Sequence, residues 1–290
     1  MMISKYIKKL AFLAILTMIT GLFMGCAKSA KASGNIGTNR LEQIQARGYI
    51  EVTTDPYFAP MGFIDPSKEG SDQYVGSDIE FAKYIAEKLG VKLKLVPLEF
   101  TAVLGSITEG KYDLAVSALA YKPDRAKAMI LSDGYYFSDD TLGYGLLIRK
   151  EDQDNILTPE DLKDKVVVAQ SGSLQETFVN EQVPKYKEFK KVGATTDGFL
   201  MVQENKADAC VVDKNTAQLY IDANPDSGLM VVDEFKFYVD PATSGTRVGI
   251  PKGEDELAAE INKIIAEVVA SGIYEKWYQE AELYAKSLGL

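Results

Sequence analysis

The chain from residue 110 to 126 reads GKYDLAVSALAYKPDRA. The short apolar run over residues 113–119 predicts a buried strand. Pro123 then predicts the start of a helix, because an N–H at the first helical position has no acceptor within the helix and proline lacks that N–H. Arg125 stands in the first turn of that helix, where the helix dipole makes a positive charge mildly unfavourable. The stretch therefore predicts a strand, a turn and a helix, with an arginine whose position favours a functional role.

The same alternation of strands and helices continues on both sides. Residues 78–89 repeat apolar side chains at the spacing of an amphipathic helix, and Gly90 is a typical stop signal after it. Strands are predicted at 49–54, 91–96, 141–149, 165–170 and 208–212, and further helices at 101–109, 196–205, 215–221 and 255–270, with others starting at 174 and 273. Strands that alternate with helices of this length predict parallel sheets in two α/β units.

The composition narrows the possible functions. The 290 residues carry a net charge of −10, which argues against nucleic-acid binding because phosphates attract basic surfaces. The chain contains no histidine, so Ser-His-Asp catalysis, Cys-His catalysis and histidine-ligated metal sites are excluded. The two cysteines, Cys26 and Cys210, allow one disulfide bond at most, and no cofactor is predicted.

The first residues predict an export signal. Lysines precede an uncharged apolar run over residues 10–24, which is short for a transmembrane helix. A glycine and Cys26 then resemble the end of a bacterial lipoprotein signal, in which the cysteine is lipidated and becomes the new N-terminus. This predicts a signal peptide over 1–25, and a lipidated Cys26 with a flexible tether over 26–39. A plain signal peptide cut elsewhere, or an uncleaved anchor, is the alternative.

Eight short motifs occur in order along the rest of the chain. They are DPYFAP at 55–60, GSDI at 76–79, GKYDL at 110–114, PDRA at 123–126, SDGYY at 132–136, QSGS at 170–173, ADACVVD at 207–213 and GIYEKW at 272–277. In this order and spacing, the chain resembles the bacterial solute-binding proteins of polar amino-acid ABC importers over residues 47–280. That family includes histidine-, lysine/arginine/ornithine- and glutamine-binding proteins.

The resemblance implies a fold. This is an α/β, two-lobed fold like that of periplasmic binding proteins, with two hinge strands and a ligand cleft between lobes that close by hinge motion. Residues 40–138 are expected in the first lobe, 139–234 in the second, and 235–290 in the first again. The chain would cross between the lobes near 137–141 and near 233–237.

The resemblance also assigns residues to the charged end of an amino acid. Arg125 is implied to grip the α-carboxylate, since a planar guanidinium can bond a carboxylate in two places. Asp213 is implied to receive the α-ammonium, although aspartate before a helix is also a common N-cap. The turn at Gly172 and Leu174 is implied to give backbone N–H groups to the carboxylate, at a helix start that Ser173 would cap. A capped turn without ligand contact is the alternative.

A second group of residues is implied to meet the ligand side chain. Asp55 would contact it directly, and Phe58 and Phe100 would sandwich it between their rings. Either phenylalanine could instead be an ordinary core residue. Gln170 stands at a position that varies among relatives, which makes it a candidate for ligand specificity. Asp55 and the two rings fit arginine, lysine or histidine, whereas Gln170 fits glutamine, asparagine or a cysteine-derived solute equally well.

Ala118 and Ala120 depart from the family pattern. Relatives often carry a hydroxyl residue at 120 and a hydroxyl residue or glycine at 118, so these alanines would meet the ligand without a side-chain hydrogen bond. Ser117 is adjacent, but strand alternation predicts that it faces away from the side used by Ala118 and Ala120. Two readings follow: the carboxylate is held more weakly, or the ligand is not a standard α-amino acid.

Together these features predict a monomeric, non-enzymatic protein that captures a polar amino acid outside the cell. It would deliver the ligand to the permease and ATPase of an ABC importer, and lipidated Cys26 would anchor it to the outer face of the cell membrane. Two alternatives stay open. One is an enzyme on the same scaffold, since prephenate and arogenate dehydratases resemble this family, and the other is an amino-acid sensor that docks onto a receptor.

Overall fold

The computed structural model describes residues 39–137, 143–241 and 244–290. The signal peptide over 1–25 and the lipidated Cys26 lie outside these ranges and stay predictions. Within the ranges, no helix combines the length and the apolar character that crossing a membrane requires. The described chain forms two α/β lobes, each built around its own five-stranded sheet.

Strands and helices alternate through most of the described chain. The strands are β1 (Tyr49–Thr54), β2 (Phe63–Ile64), β3 (Tyr74–Val75), β4 (Lys92–Pro97), β5 (Leu114–Ala120), β6 (Ile130–Tyr136), β7 (Tyr144–Arg149), β8 (Val166–Gln170), β9 (Glu188–Val192), β10 (Ala209–Asp213), β11 (Leu229–Val231) and β12 (Thr246–Ile250). The helices are α1 (Arg40–Arg47), α2 (Ser77–Lys88), α3 (Phe100–Thr108), α4 (Pro123–Ala128), α5 (Leu174–Gln182), α6 (Thr195–Gln203), α7 (Lys214–Ala223), α8 (Asp255–Ser271) and α9 (Ile273–Leu288). Short 3-10 helices lie at Gly70–Gln73, Lys150–Asp152, Pro159–Leu162 and Pro225–Ser227.

The first lobe contains the sheet with the strand order β4-β1-β5-β12-β6. Strand β1 runs parallel to β4 and to β5, as strands joined through crossover helices do. Strand β12 lies between β5 and β6 and is antiparallel to both. It comes from the far end of the chain, so the first lobe is completed only after the second has been built.

The second lobe contains the sheet with the order β11-β7-β10-β8-β9. Strands β8, β9 and β10 are parallel, whereas β7 is antiparallel to β10 and to β11. The prediction of parallel sheets is therefore right for the strands that follow crossover helices and wrong for β7 and β12. Each of these two strands follows a strand of the other sheet, so no crossover helix sets its direction.

The core of the second lobe extends further along the chain than the sequence predicts. Phe237 stacks on Phe178 of α5, with ring centroids 5.2 Å apart, and Phe235 and Val239 pack against the same cluster. A return crossing near 233–237 is therefore too early, because Phe237 is buried in the second lobe and Phe235 and Val239 pack against the same core.

One side chain of the second lobe is buried among residues of the first. Leu219 on α7 is 3% exposed and lies in an apolar cluster with Phe63, Val75, Ala281 and Ala285. The last two stand on α9, and the others belong to the β2–β3 hairpin. The two lobes are thus in direct apolar contact outside the cleft.

Helix α8 offers a test of the first-lobe core. Ile265 is 1% exposed and belongs to this core, whereas Val269 lies one turn further along the same helix and is 49% exposed. We expect Ile265→Ala to lower the free energy of unfolding by about 2–5 kcal/mol, because it leaves a cavity. Val269→Ala should change it by less than about 0.5 kcal/mol. Urea denaturation measures both, and equal losses would contradict the packing described here.

Candidate functional site

A cavity of about 240 Å³ lies between the two lobes. Nine of the ten residues that the sequence predicts for ligand binding line it: Asp55, Phe58, Phe100, Ala118, Ala120, Arg125, Gln170, Leu174 and Asp213. The tenth, Gly172, is not part of the lining. The fold explains this convergence, because Asp55 directly follows β1, and β5, β8 and β10 end at Ala120, Gln170 and Asp213. The carboxyl ends of strands in α/β folds meet at the ligand crevice.

Arg125 supplies a buried cation to the cavity. It is 7% exposed, and its guanidinium lies 5.6 Å from the ring centroid of Phe100. One terminal nitrogen, Nη1, donates to the carbonyl of Ala120, and the other, Nη2, donates across the lobes to the carbonyl of Gly172 at 3.0 Å. Burial lowers the pKa of Arg125 to about 10, so the side chain is still charged at neutral pH. A guanidinium has five N–H donors, more than these two carbonyls require.

Asp213 supplies an anion from the second lobe. Its Oδ1 accepts a hydrogen bond of 3.0 Å from the backbone N–H of Thr216, so it caps α7 and lines the cavity at once. Both interpretations of this residue thus fit the geometry. Burial raises the pKa of Asp213, and backbone hydrogen bonds partly offset this. No ion pair to Asp213 is present among the described residues.

The turn before α5 is capped as the sequence predicts, but with one difference. Ser173 Oγ accepts from the backbone N–H of Glu176 at 3.1 Å, and the Glu176 carboxylate accepts from the N–H of Gly172 at 2.6 Å. The N–H of Gly172 is therefore already bonded, and its carbonyl faces Arg125. The structure does not support a ligand contact for Gly172, whereas Leu174, the first residue of α5, does line the cavity.

Asp55 and Gln170 meet across the lobes. Asp55 Oδ2 accepts from Gln170 Nε2 at 2.9 Å, and Oδ1 accepts from the backbone N–H of Tyr57 at 3.0 Å. Burial raises the pKa of Asp55 to about 6, against the opposing effect of the Gln170 hydrogen bond. Gln170 Nε2 also donates to the carbonyl of Gly193 at 3.0 Å, and its Oε1 accepts from Thr195. The amide of Gln170 is therefore fixed in orientation.

Strand β5 is irregular where it borders the cavity. Ala118 has a positive φ of 49°, and the pairing of β5 with β12 shifts register in this region. Ser117 consequently lines the cavity and accepts from the backbone N–H of Asp55 at 3.0 Å, so the prediction that it faces away is wrong. Regular alternation of side chains fails because a left-handed residue interrupts the strand.

The buried Asp78 holds Ala118 in this conformation. Its Oδ2 accepts from the N–H of Ala118 at 2.7 Å, and its Oδ1 accepts from the hydroxyls of Tyr135 at 2.8 Å and Tyr274 at 2.6 Å. Burial raises the pKa of Asp78, and the hydrogen bonds from the two tyrosines oppose that effect. Asp78 belongs to the motif GSDI, but nothing in that motif indicates that its carboxylate supports the cavity.

Aromatic side chains line more of the cavity than the sequence predicts. Phe58 and Phe100 line it, and so do Tyr136, Tyr144 and Tyr278. Tyr278 stands on α9 and stacks on Tyr136, with ring centroids 4.8 Å apart. Burial and the negative charge of Asp213 raise the pKa of Tyr278, so it is a neutral hydroxyl at physiological pH. On an amphipathic helix, no local signal distinguishes such a tyrosine from a core residue.

The described residues contain no group of three or more Cys, Asp or Glu side chains placed to hold a metal ion. The site instead offers one guanidinium, the buried carboxylate of Asp55, the half-buried carboxylate of Asp213, free N–H groups at the start of a helix and several aromatic rings. Such a set suits a small molecule that carries both a carboxylate and cationic or N–H donor groups.

Comparison with known proteins identifies the family of the chain. The family model for bacterial extracellular solute-binding proteins, family 3, matches residues 50–281. A probable histidine-binding protein of Campylobacter jejuni is 26% identical over 276 residues, which cover 93% of this chain and 97% of that protein.

Solved structures also share the fold. An amino acid ABC transporter substrate-binding protein from Streptococcus pneumoniae bound to L-arginine is 30% identical, with a TM-score of 0.75, over 84% of this chain and 98% of that one. An ancestral amino acid-binding protein, a precursor of cyclohexadienyl dehydratase, is 30% identical with a TM-score of 0.70, over 83% and 98% of the two chains. The chain belongs to family 3 of the bacterial extracellular solute-binding proteins.

Proposed function

We propose that the protein captures a polar amino acid outside the cell and passes it to the permease of an ABC importer, held at the membrane by lipidated Cys26. The main support for this proposal is that Arg125 of the first lobe and Asp213 of the second line the same cavity. They offer a cation and an anion to the two charged groups of an amino acid. Because the two residues come from different lobes, a ligand that contacts both stabilises the arrangement in which the lobes are closed around it.

A cationic ligand side chain fits the other residues of the cavity best. Asp55 is a desolvated carboxylate, and among the described residues it forms no ion pair. A cation from the ligand would supply the missing counter-charge. Phe58 and Phe100 add ring faces for a guanidinium or imidazole. Both N–H groups of the Gln170 amide are already bonded, which makes a neutral amide ligand less favourable.

A dehydratase-like enzyme is the second candidate. Two observations favour it: the similarity to a precursor of cyclohexadienyl dehydratase, and the pKa of Asp55 near 6, which suits a general acid. Conversion of prephenate by the purified protein would support this candidate. A site that meets both charges of an amino acid favours capture instead.

A thermal unfolding screen tests the proposal. The panel contains the standard amino acids, ornithine, citrulline, cystine and prephenate. A ligand at about a thousand times its dissociation constant adds roughly 4 kcal/mol, which should raise the midpoint by about 8–16 °C. We expect such a shift with one or two basic amino acids, and none with Arg125→Ala, which lacks the carboxylate partner.

Lys127→Ala is the matched control for that screen. Lys127 stands on the same helix as Arg125, is exposed, and pairs with Asp124 at the surface. It should shift with ligand as the wild type does. A wild type that responds to no amino acid, or an Arg125→Ala variant that responds like the wild type, would refute the proposed function.

The charge of Asp55 gives a pH test of the ligand class. L-Arginine and its neutral isostere L-citrulline share the groups that meet Arg125 and Asp213, so their affinity ratio isolates the side-chain end. Below about pH 6, Asp55 is protonated in the unliganded protein and must lose that proton to meet a cation. We expect the preference for arginine to fall by up to about tenfold per pH unit below pH 6.

Calorimetric titration between pH 5 and pH 8 measures this ratio. Asp55→Asn should make the ratio independent of pH, whereas Asp124→Asn, a change on the exposed surface, should leave the wild-type profile unaltered. A wild-type ratio that stays constant with pH would show that Asp55 does not meet a ligand cation.

A further inference from the structure

Lys122, the residue directly before α4, extends its side chain across the cleft to the second lobe. Its Nζ donates to the carbonyl of Ser173 at 3.1 Å and lies 3.5 Å from the carbonyl of Gly172. Arg125 Nη2 donates to the same Gly172 carbonyl at 3.0 Å. Two cations of the first lobe therefore hold two successive carbonyls of the turn that begins α5 in the second lobe.

These carbonyls are linked to the N–H groups that begin the helix. The carbonyl of Ser173 and the N–H of Leu174 belong to one peptide group. Leu174 is the first residue of α5, so its N–H has no acceptor within the helix, and the residue lines the cavity. A cation bonded to the carbonyl polarises the peptide group and strengthens its N–H as a donor. It also fixes the orientation of the turn.

Local stability does not explain a lysine at this position. Residue 122 is the N-cap of α4, where Ser, Thr, Asp or Asn would accept an N–H, and a positive charge opposes the helix dipole. Burial lowers the pKa of Lys122, and the nearby charge of Arg125 lowers it further, while Glu176 acts in the opposite direction. The contacts of Lys122 with the carbonyls of Gly172 and Ser173 therefore offset the unfavourable position of its charge at the start of α4.

We propose that Lys122 is a positioning residue for ligand binding, which fastens the α5 turn to the first lobe so that the N–H of Leu174 faces the ligand carboxylate. Lys122 does not itself line the cavity, so it acts through the turn. A correctly placed N–H strengthens the hold on the ligand carboxylate, so the loss of Lys122 should speed the release of a ligand that carries one. This inference rests on the proposed capture of an amino acid.

Lys122→Met tests the inference, because it keeps the length of the side chain and removes its charge and donors. We expect the dissociation rate of the amino acid to rise about tenfold, with the association rate changed less than about twofold. Lys122→Arg should retain most of the wild-type behaviour, and Lys127→Met, at the exposed position on α4, should match the wild type. Stopped-flow or surface plasmon resonance measurements give both rates.

A second ligand separates positioning from a general structural role. L-Arginine carries a carboxylate and L-argininamide does not. Lys122→Met should therefore weaken the binding of L-arginine and change the affinity for L-argininamide little. A merely structural role would weaken both ligands equally, and equal losses would overturn the inference. So would wild-type dissociation of L-arginine from a folded Lys122→Met variant. A wild type that binds neither L-arginine nor any other amino acid would overturn the proposed function and this inference with it.

Discussion

The carboxylate of Asp78 joins four elements of the first lobe. It stands on α2 and accepts hydrogen bonds from Ala118 of β5, Tyr135 of β6 and Tyr274 of α9. A buried carboxylate must keep its partners, because losing one leaves a desolvated polar group unsatisfied. The four elements therefore cannot shift independently. Ala118 is held in its left-handed conformation, which in turn brings Ser117 into the cavity lining and onto the N–H of Asp55. The shape of the first-lobe half of the cavity depends on this single group.

The charges around the cavity are arranged for a ligand rather than for one another. Arg125 donates to carbonyls, Asp213 accepts from a helix N-terminus, and Asp55 accepts from an amide and a backbone N–H. Each group is positioned by neutral partners, so none of the three forms an ion pair within the described part of the chain. Isolated charges that are buried, such as Arg125 and Asp55, destabilise the unliganded protein, and their concentration in one cleft is typical of a functional site. A zwitterion that meets them would relieve the unfavourable electrostatics in both lobes at once.

Local patterns predicted much of this architecture. The helix predicted at 78–89 and the strand predicted at 208–212 match α2 and β10 within one residue. Four of the predicted site residues, Asp55, Ala120, Gln170 and Asp213, stand at or directly after strand ends. Three features needed the tertiary structure. Ser117 faces the cavity because one residue leaves the strand conformation, which no alternation pattern signals. Tyr278 lines the cavity from a helix whose periodicity is that of any core-facing helix, and Phe237 belongs to the second lobe because of a ring that stacks on it from α5.

Leu219 gives the two-lobed arrangement a property that the cavity alone would not. Its side chain is covered by Phe63, Ala281 and Ala285 of the first lobe, so any separation of the lobes would expose it. Burying an apolar side chain is favourable whatever molecule fills the cleft. This contact therefore multiplies the affinity for every ligand by one common factor and leaves the ratios between ligands untouched. The protein thus separates two quantities that a rigid pocket would couple: residues in the cleft set which solute is chosen, and a leucine on an outer helix helps to set how long any chosen solute stays.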